Sequence, residues 1–250
     1  MKRAALITGA SGGSGLRIAR EFAASGYAVF VTSRDEDKAQ AAADILREEH
    51  GVYAQGFALG TRDESQVVDL FRAIGDSGHC VTALVLNSAD LGLGMDPLTV
   101  PLEDWMAVIQ TNLGWNFSIA RQAALQMKDY GGGSILFVGS NTSRRAIPGR
   151  SAYIASKGGI VSLAKALAID LGQYHIRVNC ILPGSIKTAR WDARSEEQHR
   201  QSLARVPLGD IADFDDLAHA ALFLSGDGAK NITGAELVLD GGVDCQLFPR

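Results

Sequence analysis

The sequence predicts an α/β fold in which helices cover both faces of one seven-stranded parallel sheet. Short apolar runs alternate with longer amphipathic stretches along the 250 residues, and this alternation is typical of a doubly wound sheet. Most of the runs are apolar throughout, as expected for parallel strands that are buried on both faces. The chain contains no linker, repeat or low-complexity segment, so we predict a single domain over residues 1–250.

Seven runs predict strands because they are short, rich in Val, Ile and Leu, and bounded by Gly, Ser, Asn or Pro. These runs are residues 4–8, 28–33, 52–58, 83–87, 134–139, 178–182 and 236–239. Stretches with helical periodicity lie between them, at residues 14–25, 35–50, 63–75, 102–130, 150–174 and 213–224. The polar stretch 186–207 fits neither pattern, and we predict that it forms a lid of one or two short helices over a substrate site.

Composition argues against several classes of protein. The formal net charge of −4 gives no reason to expect nucleic acid or an anionic membrane as a partner. No apolar run approaches the ~20 residues that span a membrane, and the first residues reach glycine too early for a signal peptide. Cys80, Cys180 and Cys245 lie far apart without a CxxC spacing, so we predict reduced thiols in a cytoplasmic protein. We predict no metal site.

A glycine-rich loop joins the first predicted strand to the first predicted helix. Glycines permit a tight turn and let the backbone approach a pyrophosphate, and the N-terminus of the following helix favours negative charge. At this place in an α/β pattern, the loop predicts the dinucleotide site of a Rossmann domain. We assign cofactor binding to the loop residues Thr8, Gly9, Ser11, Gly13, Ser14 and Gly15.

The second predicted strand ends at Ser33, and Arg34 follows it. Rossmann domains that bind NAD usually place an acid at this position to hold the ribose 2′-hydroxyl. An arginine instead forms a charge-assisted pair with a 2′-phosphate, so we predict contacts from Ser33 and Arg34 and a preference for NADP(H) over NAD(H). The alternative is an arginine solvated beside Asp35, Glu36 and Asp37.

Tyr153 and Lys157 are four residues apart at the start of a helical pattern, so they lie on one helix face. A nearby ammonium stabilises phenolate and would lower the pKa of Tyr153 towards working pH, as a general acid/base requires. Ser140 lies at the end of the preceding strand and can donate a hydrogen bond to a substrate oxygen.

With these residues in place, the chain resembles the short-chain dehydrogenase/reductase family over nearly its whole length. Tyr153 and Lys157 match the YxxxK pair of that family, and Ser140 lies at the expected distance before the tyrosine. The overall pattern is also close to the 3-oxoacyl reductase branch. Further matches occur at Thr8, Gly9, Gly13, Gly15, Asn112, Pro183, Gly184, Thr188, Thr233, Gly234, Asp240, Gly241 and Gly242.

The resemblance implies a role for each matched residue. Tyr153 would be the acid/base and Ser140 would polarise the carbonyl. Lys157 would lower the pKa of Tyr153 and hold the nicotinamide ribose, and Asn112 would support a proton relay through water. Further cofactor contacts would come from Asn87, Ala89, Pro183, Gly184, Ile186 and Thr188.

The sequence departs from the family pattern at two places near the cofactor. Asp90 stands where the family usually has the glycine of Asn-Asn-Ala-Gly, so either the loop conformation shifts or the carboxylate contacts ribose or substrate. Gly60 stands where an aspartate usually contacts adenine, so we expect that contact to be lost or made by backbone. Neither change touches the chemical step.

The segments after the carboxyl ends of the strands should line the substrate site. We predict substrate contacts from Asp90, Thr142, Arg150 and Trp191. Arg150 stands where many relatives carry Gln, and a cation there would suit an anionic or heavily oxygenated substrate. We expect a small polar substrate, such as a sugar, polyol or hydroxy acid. A 3-oxoacyl thioester of carrier protein or coenzyme A is the alternative, and a non-catalytic NADP-binding sensor is the alternative of another class.

The family usually forms homotetramers in which two long helices pack against symmetry mates. The stretches 102–130 and 150–174 carry wide apolar faces, in agreement with this arrangement. The apolar tail of Leu247, Phe248 and Pro249 would either cross to a neighbouring subunit or cover its own chain.

Overall fold

The computed structural model describes residues 1–60 and 63–247. Its strands form one seven-stranded parallel sheet in the order β3-β2-β1-β4-β5-β6-β7. The predicted doubly wound Rossmann fold is therefore confirmed. The strands are β1 (Lys2–Ile7), β2 (Ala28–Ser33), β3 (Ala54–Ala58), β4 (His79–Leu86), β5 (Gly133–Val138), β6 (Ile176–Pro183) and β7 (Glu236–Leu239).

The described α-helices lie between the strands and on both faces of the sheet. They are α1 (Gly13–Ala24), α2 (Glu36–His50), α3 (Glu64–Asp76), α4 (Leu102–Ile109), α5 (Trp115–Tyr130), α6 (Ser151–Leu171), α7 (Ala189–Asp192), α8 (Glu196–Leu203) and α9 (Phe214–Ser225). The stretch predicted as one helix over residues 102–130 is interrupted by a π-helical turn, Gln110–Gly114. That interruption was not predicted, because one extra residue in a turn hardly alters the apolar periodicity.

Two apolar layers cover the sheet because strand side chains alternate between its faces. Leu6 of β1 belongs to the layer formed with α3, α5 and α6. Its neighbours Ala5 and Ile7 belong to the opposite layer, formed with α1, α2 and α9. Helices therefore cover both faces of the sheet.

The stretch 186–207 forms two short helices, α7 and α8, as predicted. A small apolar cluster of Trp191, Val206 and Ile211 holds them to the chain that leads into α9. Its role as a lid over the substrate remains a prediction.

Helix α6 is strongly apolar and contributes to one of the two buried layers. The segment Ser151–Tyr174 is the single helix in the described chain that is long and apolar enough to cross a membrane. Its buried face includes Lys157, Ile160 and Ala164, which pack against the sheet. A core helix can have the length and apolar composition of a membrane span. Because α6 packs against the sheet, we assign it as a core helix of this fold.

Candidate active site

The candidate site lies at the carboxyl ends of the central strands. The strand order reverses between β1 and β4, and ligands of open parallel sheets bind in the crevice at such a switch point. Thr8 follows β1, Asn87 follows β4, Ser140 lies two residues after β5, and Pro183 ends β6. The fold thus brings predicted residues from four strands to one edge of the sheet.

The glycine loop adopts conformations and close approaches that only glycine tolerates. Gly9 and Gly13 have positive φ angles of 63° and 54°. A Cβ atom on Gly9 would lie 2.9 Å from the Cβ of Ser88, and one on Gly15 would lie 2.3 Å from the carbonyl oxygen of Gly9. Since such approaches exclude any side chain, the turn is as tight as a pyrophosphate cradle requires.

The N-terminus of α1 is open to an anion. Gly12 precedes the helix, no side chain caps it, and its first turn contains no acidic residue. Its backbone N–H groups therefore have no acceptor from a capping side chain, and the helix dipole favours negative charge at this point. Of two other predicted cofactor contacts, Ser11 in the glycine loop is half-buried and Ala89, in the segment after β4, is exposed. These features fit a dinucleotide pyrophosphate.

A hydrogen-bond network fixes the glycine loop to the end of β4. Ser14 Oγ donates to Asn87 Oδ1 at 3.0 Å, and Asn87 Nδ2 donates to the carbonyl oxygens of Thr8 and Gly9 at 3.3 Å each. Thr8 Oγ1 accepts from the backbone N–H groups of Asn87 at 3.0 Å and of Ser88 at 3.2 Å. Thr8 and Asn87, predicted as cofactor contacts, therefore also shape the loop that would hold the cofactor.

Arg34 extends into solvent from the end of β2. It forms no ion pair with an acidic side chain in residues 1–60 or 63–247. Asp35 instead caps α2, accepting the backbone N–H of Lys38 at 3.2 Å and lying 3.5 Å from its Nζ. These contacts lower the pKa of Asp35, the backbone hydrogen bond having the largest effect. The neighbouring acid thus leaves the guanidinium of Arg34 available to an anion.

Lys157 is buried at the base of the site. Its Nζ donates to the carbonyl oxygen of Val138 at 2.7 Å and lies 5.6 Å from the centroid of the Tyr153 ring. Burial disfavours the ammonium and lowers the pKa of Lys157 to about 8. The helix spacing predicted from the sequence therefore does place the amine beside the phenol.

Tyr153 keeps its proton in this environment. Burial raises the pKa of Tyr153, while the hydroxyl of Ser140 and the charge of Arg150 lower it by a smaller amount. The expected lowering towards working pH is absent from this structure, because desolvation outweighs the neighbouring groups. The Ser140 hydroxyl is near enough to affect the pKa of Tyr153, but the two side chains form no direct hydrogen bond in the described structure. A protonated phenol is the form that can donate to a carbonyl oxygen.

Ser140 is held as a hydrogen-bond acceptor by the next turn of the chain. Its Oγ accepts from Thr142 Oγ1 at 2.9 Å and from the Thr142 backbone N–H at 3.2 Å. Ser140 is nearly buried, with 7% of its surface exposed. Thr142 was predicted as a substrate contact, and the structure gives it the further task of orienting Ser140.

Asn112 lies in the π-helical turn and ties three segments together. Its Oδ1 accepts from Asp90 N at 2.7 Å, and its Nδ2 donates to Asp90 O at 2.8 Å and to Ser156 Oγ at 3.0 Å. Asn116 Nδ2 donates to the Asn112 carbonyl oxygen at 2.7 Å. The Asp90 carboxylate accepts from Gly92 N at 2.9 Å, closing its own loop. Three hydrogen bonds hold the Asn112 side chain in place, and its part in a proton relay stays a prediction.

The chain leaving β6 carries the residues predicted to line the nicotinamide end of the cofactor. A Cβ atom on Gly184 would lie 2.7 Å from the Cβ of Asp240, so only glycine fits against the end of β7. Ile186 forms an isolated parallel bridge with Ala212, and Thr188 caps α7 with its side chain. These contacts give the segment a defined path along the edge of the sheet.

Several cations near the site have partners within the protein. Arg144 bonds Glu236 and Asp244 at 2.6 Å each, and Lys187 bonds Asp210 at 2.6 Å. The contacts with Glu236 and Asp244 raise the pKa of Arg144, and the hydrogen bond that Arg144 donates to Glu236 is the largest cause. Such residues hold the loop after β5 and the chain after β6 in place, and their charges are already balanced.

Trp191, predicted as a substrate contact, is mostly enclosed by its own segment. Its ring stacks on His199 with centroids 4.6 Å apart, and the guanidinium of Arg194 lies 5.0 Å from the ring centroid. Only 9% of its surface is exposed. The packing assigns Trp191 chiefly to the stability of the helix pair α7 and α8.

Asp240 is a site residue whose structural role the sequence did not predict. Its carboxylate accepts from Asn141 Nδ2 at 3.3 Å, from Gly242 N at 3.0 Å and from Asp244 N at 2.8 Å. It thereby joins the loop after Ser140 to the C-terminal segment. The described part of that segment covers its own chain, since Arg145 donates to the carbonyl oxygens of Asp244 and Gln246. Phe248 and Pro249 lie outside the described residues.

The opposite edge of the sheet holds a separate cleft. A cavity of about 550 Å³ lies there, lined in part by Arg3, Gly133, Arg177 and Ser225. None of the predicted site residues lines it. The described residues contain no group of three or more His, Cys, Asp or Glu side chains that could hold a metal ion.

Comparison with known proteins places this geometry in a family. A profile described as enoyl-(acyl carrier protein) reductase matches residues 9–244. The 3-oxoacyl-(acyl-carrier-protein) reductase FabG of Chlamydia trachomatis is 34% identical over 245 residues, covering 97% of this chain and 98% of that protein. The solved structure of actinorhodin polyketide ketoreductase with NADPH has a TM-score of 0.90 at 31% identity and covers 98% of each chain. NAD⁺-bound xylitol dehydrogenase has a TM-score of 0.88 at 27% identity, covering 96% of this chain and 98% of that one.

Fold and site together define an oxidoreductase that uses a nicotinamide coenzyme and acts on a carbonyl or an alcohol. The chain belongs to the short-chain dehydrogenase/reductase family. The resemblance stated from the sequence motifs is thereby confirmed.

Proposed function

We propose that the protein is an NADP(H)-dependent oxidoreductase that interconverts a carbonyl and a secondary alcohol on a small polar substrate of the sugar, polyol or hydroxy-acid type. The observation that carries the proposal is the convergence of Ser140, Tyr153 and Lys157 at one sheet edge, with the guanidinium of Arg150 4.9 Å from the tyrosine ring centroid. A charged group at the reacting centre favours a polar substrate over an apolar one.

The protein's own groups can perform the proton chemistry of carbonyl reduction. The Ser140 proton is free to bind the carbonyl oxygen, and the Tyr153 phenol donates its proton to that oxygen as the alcohol forms. Lys157 would stabilise the phenolate that results and reach the ribose. When bound, the nicotinamide supplies or accepts the hydride. We propose that α7 and α8 close over the substrate and exclude water from this step.

Coenzyme preference follows from Arg34. Its guanidinium has no acidic partner in the described chain and can pair with a 2′-phosphate. Parallel fluorescence titrations with NADPH and NADH test this assignment. We expect NADPH to bind at least tenfold tighter, about 1.4 kcal/mol, and Arg34→Ala to remove most of that difference. Lys38→Ala, which changes an exposed cation one turn away, is the matched control. Equal binding of the two coenzymes by the wild type would refute the preference.

A 3-oxoacyl thioester reductase is the second candidate, favoured by the 34% identity to FabG of Chlamydia trachomatis. Steady-state assays with NADPH separate the candidates, comparing a ketose, a short oxo acid and an acetoacetyl thioester. The proposal predicts the higher kcat/KM for one of the first two. A higher kcat/KM for the thioester would transfer the assignment to the second candidate.

We propose that the protein is a cytoplasmic homotetramer. Its free cysteines fit a reducing compartment, and the helices predicted to meet symmetry mates carry exposed large apolar side chains. These are Leu102, Met106, Phe117, Leu125 and Ile169. Light scattering after size exclusion would give four chain masses if the proposal holds, and one chain mass would refute the tetramer.

A further inference from the structure

Arg150 differs from the other cations that flank the site. Arg144 and Lys187 are neutralised by carboxylates, whereas the side chain of Arg150 forms no ion pair or hydrogen bond within residues 1–60 and 63–247. Its Nε is shut off from solvent and has no hydrogen-bond partner. Buried donors nearly always have a hydrogen-bond acceptor. We therefore expect a ligand to provide an acceptor for the Arg150 side chain.

The position of Arg150 places that ligand at the reacting centre. Arg150 immediately precedes α6, three residues before Tyr153. Its guanidinium carbon lies 4.9 Å from the centroid of the Tyr153 ring. A group that pairs with this guanidinium therefore lies beside the phenol that exchanges a proton with the substrate oxygen.

The chemistry of a guanidinium selects the ligand group. Its planar fork of N–H donors matches the two oxygens of a carboxylate, and this pair is both charge-assisted and bidentate. Hydroxyl groups of a neutral sugar could accept a hydrogen bond but would leave the charge unbalanced. A thioester offers only weakly basic, uncharged oxygens.

We propose that Arg150 binds a carboxylate of the substrate, which makes the substrate a short oxo acid or the corresponding hydroxy acid. This inference rests on the proposed function, because it assigns the substrate class of the same site. In the reduction, Tyr153 would give a proton to the carbonyl oxygen and the carboxylate would stay unchanged on Arg150, while a bound NADPH would supply the hydride for the carbonyl carbon.

Turnover tests the inference through a matched pair of substrates. A short 3-oxo acid and its methyl ester are assayed with NADPH against wild type, Arg150→Gln and Arg72→Gln. We expect the wild type to prefer the acid by tenfold or more in kcat/KM. Arg150→Gln should abolish that preference through a raised KM for the acid. Arg72→Gln changes an exposed arginine on α3, outside the site, and should leave the preference for the acid unchanged. A wild type that reduces the ester as well as the acid would overturn the inference and leave the proposed function standing.

Binding tests the same inference without turnover. Malonate is titrated calorimetrically into wild type and Arg150→Gln in the presence of NADP⁺, with thermal melting to show that both proteins are folded. We expect at least tenfold weaker malonate binding to Arg150→Gln. Equal affinity would overturn the inference. Binding that depends on Arg150 in a protein without turnover would uphold the carboxylate site and refute the proposed function.

Discussion

Thr142 donates two hydrogen bonds to Ser140, from Oγ1 at 2.9 Å and from the backbone N–H at 3.2 Å. A hydroxyl has one proton and two acceptor sites. With both acceptor sites filled, the proton of Ser140 must point away from Thr142. Thr142 is therefore a positioning residue that leaves Ser140 with a proton for the substrate oxygen.

Removing the Thr142 hydroxyl should impair this orientation. We expect Thr142→Val to lower kcat about fivefold, since a net hydrogen bond contributes about 1 kcal/mol, and to leave the Kd for NADPH unchanged. Thr142→Ser keeps the hydroxyl and should restore most of the rate. Stopped-flow measurement of NADPH oxidation gives the rate, and a valine variant as fast as wild type would show that the contact is structural only.

The buried Lys157 makes stability depend on pH in a defined direction. Its pKa is about 8 in the folded protein and 10.5 for a free side chain. Between these values the unfolded chain binds more protons than the folded one, so stability rises with pH. Relative to Lys157→Met, the wild type should therefore gain up to about 3 kcal/mol of unfolding free energy from pH 8 to 10.5.

Urea unfolding of both proteins across this range measures the effect. The comparison with Lys157→Met is needed because Cys180 acts in the opposite direction. Burial raises the pKa of Cys180 to about 12, so this thiol lowers stability as pH rises above 9. A difference between wild type and variant that stays constant with pH would contradict the burial of a titrating ammonium.

Substitution of Gly15 tests whether the glycine loop binds the cofactor, because it changes the shape of the loop without changing its charge. An added methyl group would meet the Gly9 carbonyl oxygen at 2.3 Å, and the loop would have to move. We expect Gly15→Ala to weaken NADPH binding at least tenfold, about 1.4 kcal/mol. Gly75→Ala in α3 is the control, because its methyl group meets nothing closer than 3.8 Å. Unchanged NADPH binding by Gly15→Ala would mean that this loop is not the pyrophosphate cradle.

The fold was predictable because its strands and helices differ in period and length. The start of β4 was missed, since His79 and Thr82 look like loop residues in a sequence. In the structure His79 is buried, and its ring stacks on Tyr53 with centroids 4.5 Å apart. A polar residue such as His79 fits into a buried strand when a residue distant in the chain packs against it, and the sequence alone does not reveal that contact.

The site was predictable where a motif has fixed spacing, as for Tyr153 and Lys157. The contacts that orient those residues were not, because they join segments far apart in sequence. Asn112 binds the loop of Asp90 and the hydroxyl of Ser156 through a π-helical turn that periodicity does not reveal. Arg150 was noticed from its place before Tyr153, but its lack of an acidic partner in the described chain is visible only in three dimensions.

Substitution of Tyr153 tests its role as the acid/base. Tyr153→Phe removes one oxygen atom, and NADPH binding is measured by fluorescence beside turnover of the best substrate. We expect a Kd for NADPH within twofold of wild type and a turnover lowered between about 10²- and 10⁴-fold. Turnover close to the wild-type rate would contradict this role, and a wild type that binds NADPH without turning over any carbonyl would instead identify a non-catalytic sensor.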